Sequence, residues 1–96
     1  MARALGTLDL LSGGRIAWNV VTSTIDKSAK CFGMEKLLDR VARYDRAEEV
    51  LEAAAQLWES FGRNAIVADK SAGVYIDPAQ LQEFDYVGKY VKTRGP

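Results

Sequence analysis

The sequence predicts an α/β fold: a buried parallel strand covered by helices, with a long amphipathic helix and a short hairpin excursion. Three patterns predict it. Ile16, Ala17, Trp18, Val20 and Val21 form a nearly unbroken apolar run without the alternation of a half-exposed strand, as strands covered on both faces do. From Tyr44 to Phe61, the residues Ala47, Val50, Leu51, Ala54, Leu57, Trp58 and Phe61 recur at helical period. Beyond Gly62 the apolar residues fall in short pieces separated by turn residues.

Along the chain, Ala4, Leu5, Leu8 and Leu11 have the three- and four-residue spacing of a short helix, with Gly6 as its weak point. Ser12-Gly13-Gly14 ends that helix, since glycine takes the left-handed conformation that closes a helix, and turns the chain into the strand beginning near Arg15. Thr24 to Gly33 is polar and aperiodic, a loop. Met34, Leu37, Leu38 and Val41 share a helical face whose phase differs from that of the long stripe, so a break is expected near Ala42 to Tyr44. Asp45, Glu48 and Glu49 then occupy the first turns of the long helix, complementing its dipole, and Gly62 stops it. Ala65–Ala68 and Gly73–Ile76, joined by Asp69-Lys70-Ser71-Ala72, suit a hairpin. Asp77 caps a brief turn with Pro78 at its first position. Tyr86 to Thr93 reads as a last extended stretch. With no repeats or linkers, residues 1–96 form a single domain.

Composition excludes several classes. Lysine and arginine balance aspartate and glutamate at 13 each, so no basic field recruits nucleic acid. The run Ile16–Val21 is far shorter than the ~20 residues of a membrane span, and no adequate signal segment opens the chain, so it reads as a soluble cytoplasmic protein without a membrane partner. There is no histidine, which removes serine–histidine and cysteine–histidine nucleophilic systems and histidine zinc sites from this polypeptide. Cys31 stands alone, without a base marked beside it. The group Asp45, Glu48, Glu49 and Glu52 is a solvated helix face, so no metal is expected. Gly13-Gly14 lacks the spacing of a dinucleotide loop.

In a parallel barrel, ligands sit over the carboxyl ends of the strands. Asn19, Thr22 and Ser23 occupy that end. Asparagine offers a donor and an acceptor, and the hydroxyls suit the oxygens of a polar ligand; the alternative is that these groups satisfy backbone at a strand end.

Three ordered elements resemble one family. The first is Ala2-Arg3, Thr7-Leu8-Asp9, Ser12 to Arg15 and Trp18 to Ser23; the second is Arg43-Tyr44-Asp45-Arg46-Ala47-Glu48-Glu49 with Leu57-Trp58; the third is Gly88-Lys89-Tyr90 with Arg94-Gly95-Pro96. Together they resemble the nitrilotriacetate monooxygenase, pristinamycin synthase and dibenzothiophene sulfone monooxygenase family of bacterial luciferase-like enzymes. The resemblance implies a fragment of a (β/α)8 luciferase-like barrel, since a whole barrel needs roughly 250 residues. It also implies reduced FMN supplied by a separate flavin reductase, and oxygenation of small organic substrates. By that resemblance Tyr44 contacts flavin and Asn19 and Thr22 line the same pocket. Arg40 stands where the family usually has histidine, and its permanent charge suits a phosphate. The expected activity is FMN-dependent monooxygenation, with the lone chain inactive. The alternative is a non-catalytic α/β protein that self-associates through barrel-derived surfaces, as a homo-oligomer or with a complementary chain.

Overall fold

The first helix, α1 (Ala2–Ser12), ends where its glycines permit. In the computed structural model, which describes residues 1–96, Gly13 takes the left-handed conformation with φ +68°. Gly13 N–H donates to Leu10 O at 3.2 Å and Gly14 N–H to Asp9 O at 2.9 Å, closing carbonyls that a helix end leaves without partners. Asp9 Oδ1 then accepts from Ile16 N–H at 3.2 Å, so the last turn of α1 holds the start of the tryptophan-asparagine segment.

That segment is not a strand. Arg15–Thr24 has no regular secondary structure and no ladder partner, and its apolar residues are open to solvent, Ile16 at 39% and Val21 at 74%. This corrects the expectation of a buried parallel strand. A parallel strand exists only within a ladder that satisfies its N–H and C=O groups. The sheets of this chain are two antiparallel pairs formed by later residues, and no barrel closes within it. Helix cover does remain: the Trp18 ring meets Trp58 edge to face, with centroids 6.1 Å apart. Trp58 Nε1 also donates to Ala2 O at 3.0 Å, so one indole joins α1, the segment and the long helix. Gly6 of α1 faces that same indole, and a Cβ there would lie 3.4 Å from Trp58 Cδ1.

Two further boundaries differ from expectation. The polar loop contains a single-turn helix, α2 (Asp26–Lys30), that buries Ala29. One turn is too short for a periodic signal. Conversely, Met34 to Asp39 is irregular, and α3 runs without a break over Arg40–Glu59. The physical reason is Asp39, whose carboxylate accepts from Ala42 N–H at 3.1 Å and fixes the helix start there. The half-buried Leu37 and Leu38 mark packing of the approach rather than helix. Asp45, Glu48 and Glu49 therefore lie beyond the first turn, which contains no acidic residue. Helix α3 ends at Glu59 with Ser60 as its C-cap, short of the stop expected at Gly62.

After α3 the expected hairpin forms from β1 (Ile66–Asp69) and β2 (Val74–Ile76), antiparallel, with a register shift accompanied by Ala68 at φ +50°. Asp69 Oδ1 accepts from Ser71 N–H at 2.8 Å and Ala72 N–H at 3.1 Å, which builds the turn. Asp77 caps a 3₁₀ turn at Pro78–Gln80, its Oδ1 accepting from Ala79 N–H at 3.0 Å. The final stretch is a second hairpin rather than one extended segment: β3 (Phe84–Val87) pairs with β4 (Lys92–Gly95). The fully buried residues are small ones, among them Ala29, Ala53, Ala54, Ser60 and Ala65, and no large apolar side chain is enclosed.

Candidate functional site

The amino-terminal turns of α3 gather two of the residues expected at the site. Arg40 and Tyr44 are four residues apart, a spacing that puts them on one helix face. The guanidinium carbon lies 5.9 Å from the Tyr44 ring centroid, a cation–aromatic contact. With Val41 and Asp45 they line a shallow concavity, wide open to solvent, on one face of the helix. Tyr44 is 54% exposed, so its ring has a free face for stacking. Asp45 opposes an anion here, and any phosphate must be met by Arg40 directly.

Asn19 and Thr22 lie on the irregular segment anchored by Trp18, Asn19 exposed and Thr22 half-buried. A clamp relates this segment to α3. Asp26 Oδ1 accepts from Leu37 N–H at 3.0 Å, pinching the excursion between Thr24 and Asp39 at its base. The end of the Trp18–Ser23 run and the start of α3 each lie three residues along the chain from this bond. No contact joins Asn19 or Thr22 to Arg40 or Tyr44 in the way that Arg40 meets Tyr44. The side-chain hydrogen bonds of this region belong to Asp26, Asp39 and Arg43, and the side chains of Asn19, Thr22, Arg40 and Tyr44 make none.

This donor set fits a flavin mononucleotide in kind: a fixed cation for phosphate, an exposed ring for stacking, and amide and hydroxyl groups for ring edge and ribityl.

Sequence reasoning missed Asp26 and Arg43. Arg43 Nη1 donates to Leu38 O at 3.0 Å, and its enclosed Nε has no partner. A bond from Asp26 to an amide eleven residues away leaves no periodic trace. It also missed the acidic face of α3 as a dock. Glu49 Oε1 accepts from Lys89 N–H at 2.9 Å, and Oε2 from Tyr90 N–H at 2.7 Å and Val91 N–H at 3.0 Å. Tyr86 Oη donates to Glu52 at 2.7 Å. Desolvation pushes the Glu49 carboxyl up, but the hydrogen bonds from Tyr90, Val91 and Lys89, with the Lys89 charge, hold it below its ordinary value.

A glycine-closed helix, a tryptophan-asparagine segment packed on a long helix, and two antiparallel hairpins define a mixed helix-and-strand piece with no closed barrel of its own. The chain belongs to the luciferase-like monooxygenase family, which matches it over residues 1–96. It is 51% identical over 96 residues to the dibenzothiophene-sulfone monooxygenase of Rhodococcus erythropolis, covering 100% of this chain and 21% of that protein. It is 46% identical to the long-chain alkane monooxygenase of Geobacillus thermodenitrificans, covering 99% of this chain and 22% of the relative. Among solved structures, a long-chain alkane monooxygenase superposes with a TM-score of 0.86 at 46% identity, over 99% of this chain and 22% of that one. Riboflavin lyase, solved with modified FMN and its substrate riboflavin, gives 0.83 at 38% identity, over 98% of this chain and 21% of that one. The chain thus spans about a fifth of the length of the relatives it matches, and over that fifth its fold is that of the luciferase-like proteins.

Proposed function

We propose that this chain is a flavin-facing portion of a cytoplasmic FMN-dependent monooxygenase acting on small organic substrates, with reduced flavin delivered by a partner reductase. The observation that carries this reading is the Arg40–Tyr44 face, where a permanent cation and an exposed ring stand 5.9 Å apart on an open concavity. In this reading Arg40 pairs with the phosphate and Tyr44 stacks against the flavin. Asn19 hydrogen-bonds the ring edge, and Thr22 hydrogen-bonds the ribityl chain. Bound flavin supplies the oxygen chemistry, and these side chains bind and orient it. The reductase partner is supported by relatives named as components and subunits, such as nitrilotriacetate monooxygenase component A of Aminobacter aminovorans.

Fluorescence titration of flavins against the purified chain tests the reading. FMN, oxidised and reduced, is expected to bind measurably, and Arg40→Gln to weaken FMN by roughly tenfold while leaving riboflavin, which lacks the phosphate, unchanged. No FMN binding at high protein concentration rejects a retained cofactor site, and equal losses for both flavins reject the phosphate role of Arg40.

A second reading rests on a separate observation. Leu11, Val21, Phe32 and Val87 are each more than 70% exposed, the kind of apolar surface that drives association. In this reading the chain is a non-catalytic scaffold that self-associates or pairs with a complementary chain.

A further inference from the structure

The turn between β3 and β4 is not closed by a sequence made for tight turns. Its residues are Gly88, Lys89, Tyr90 and Val91, and of its own backbone bonds the turn shows Gly88 N–H to Val91 O at 2.8 Å. Three consecutive N–H groups, those of Lys89, Tyr90 and Val91, instead point outward at a single carboxylate, forty residues and more away on α3. Successive backbone N–H groups of this kind form an anion-binding concavity, and Glu49 fills it from within the chain. The fit is close. A Cβ on Gly88 would collide with the Glu49 carboxylate, so glycine at 88 is what allows the helix side chain to enter the turn.

We infer that Glu49 is a proton-released latch: its ionised carboxylate docks the β3–β4 turn on α3, and its protonation lets the turn go. Oε1 accepts one of these bonds and Oε2 two, and all three are strengthened by the carboxylate charge, so protonation removes that assistance from the whole set at once. The titratable groups around Glu49 are few. On the turn stand Lys89, whose ammonium lies 4.8 Å from the Tyr90 ring centroid, and Tyr90 itself. From β3 comes Tyr86, held by Glu52, and from α3 come Glu52 and Asp45. Lys89 is the one cation of the set, and its charged form is favoured first by Tyr90 and then by Asp45 and Glu49.

Lys89 is therefore positioned by the latch, beside the helix face that carries Asp45 and the Arg40–Tyr44 concavity. Release of the turn removes that ammonium from the acidic side of the concavity. The folded carboxyl titrates below its ordinary value of 4.5. The docking free energy is thus fully present above that value and is lost as pH falls through the lowered one.

Proton NMR of the full chain tests this without reference to flavin. Amide protons of Lys89, Tyr90 and Val91 are expected downfield at pH 7, moving upfield together with one midpoint below 4.5, while Trp58 indole, which reports α1–α3 packing, stays in place. In Glu49→Gln the three amides are expected to lie upfield at neutral pH and to show no common titration. Glu49→Ala with added formate supplies a second variant: formate should move the three amides back downfield in a saturable way. Amides that are unshifted at pH 7 in the parent chain, that titrate separately, or that titrate unchanged in Glu49→Gln overturn the latch.

Discussion

Tyr86 shows how one hydroxyl reports on the same dock. Its Oη donates to Glu52 Oε2 at 2.7 Å, a charge-assisted bond that exists only while the phenol keeps its proton. That bond first, then desolvation and the charges of Glu52 and Glu49, push the phenol from 10.0 up to about 12. The sign is that of a raised folded value: the stabilisation is complete below the ordinary phenol range and disappears as pH rises through about 12. Phenolate absorbance during an alkaline titration should therefore show one of the four tyrosines ionising late, with Glu52→Gln bringing it back among the others. Four tyrosines ionising together in the parent chain would exclude the bond. At this scale Arg40 and Tyr44 were named only through the family resemblance, and the break expected near Ala42 to Tyr44 separated them; the Asp39 cap is what places both on α3. The contacts of Asp26, Glu49 and Glu52 were not legible, since their partners are 11, 40 to 42 and 34 residues distant.

Elements differ in whether their cause lies inside them. The hairpin β3–β4 depends on Gly95, which is buried opposite Phe84 in the ladder. The Phe84 ring covers the glycine, and a Cβ at position 95 would stand inside that ring. Gly95→Ala is expected to destabilise the chain by about 1–3 kcal/mol, the range for forced overpacking. Gly6→Ala should do the reverse. Its Cβ reaches Trp58 at an ordinary contact of 3.4 Å, and removing a helix-interior glycine gains about 0.5–1 kcal/mol. Chemical denaturation of both variants beside the parent checks the pair; opposite signs to these would show that the packing around Phe84 and Trp58 is wrongly described. The same distinction explains what could be read from sequence. Helix α1 with its glycine stop, the β1–β2 hairpin with Asp69, and the Asp77-Pro78 turn carry their own signals and were legible. The tryptophan-asparagine strand was not, because strand identity needs a ladder that this stretch does not find among the other residues. The β3–β4 hairpin was read as one strand because its turn is shaped by Glu49 from another element.

The whole molecule is extended for its size. Its radius of gyration is 16.8 Å and its extents are 54 × 27 × 20 Å, whereas a folded chain of this length is expected near 12.5 Å. Its accessible surface of 7649 Å² compares with roughly 5,500 Å² for a globular monomer of this mass. The excess, on the order of 2,000 Å², exceeds the ~800 Å² that each partner contributes to a standard interface. Much of it is apolar, with Leu10, Leu11, Val21, Ile25, Phe32 and Val87 each at least 61% exposed. Such a surface in water favours association, whichever functional reading holds. Sedimentation of the purified chain over a range of concentrations is therefore expected to show species heavier than the 10.6 kDa monomer, accompanied by weaker binding of a hydrophobic dye as they form. The flavin titration then separates the readings. Assemblies that bind FMN with the Arg40 dependence described above belong to the monooxygenase reading, and assemblies of defined mass without FMN belong to the scaffold. A monomer at every concentration removes the self-associating form of the scaffold reading, because the exposed faces would then have shown no tendency to pair with one another.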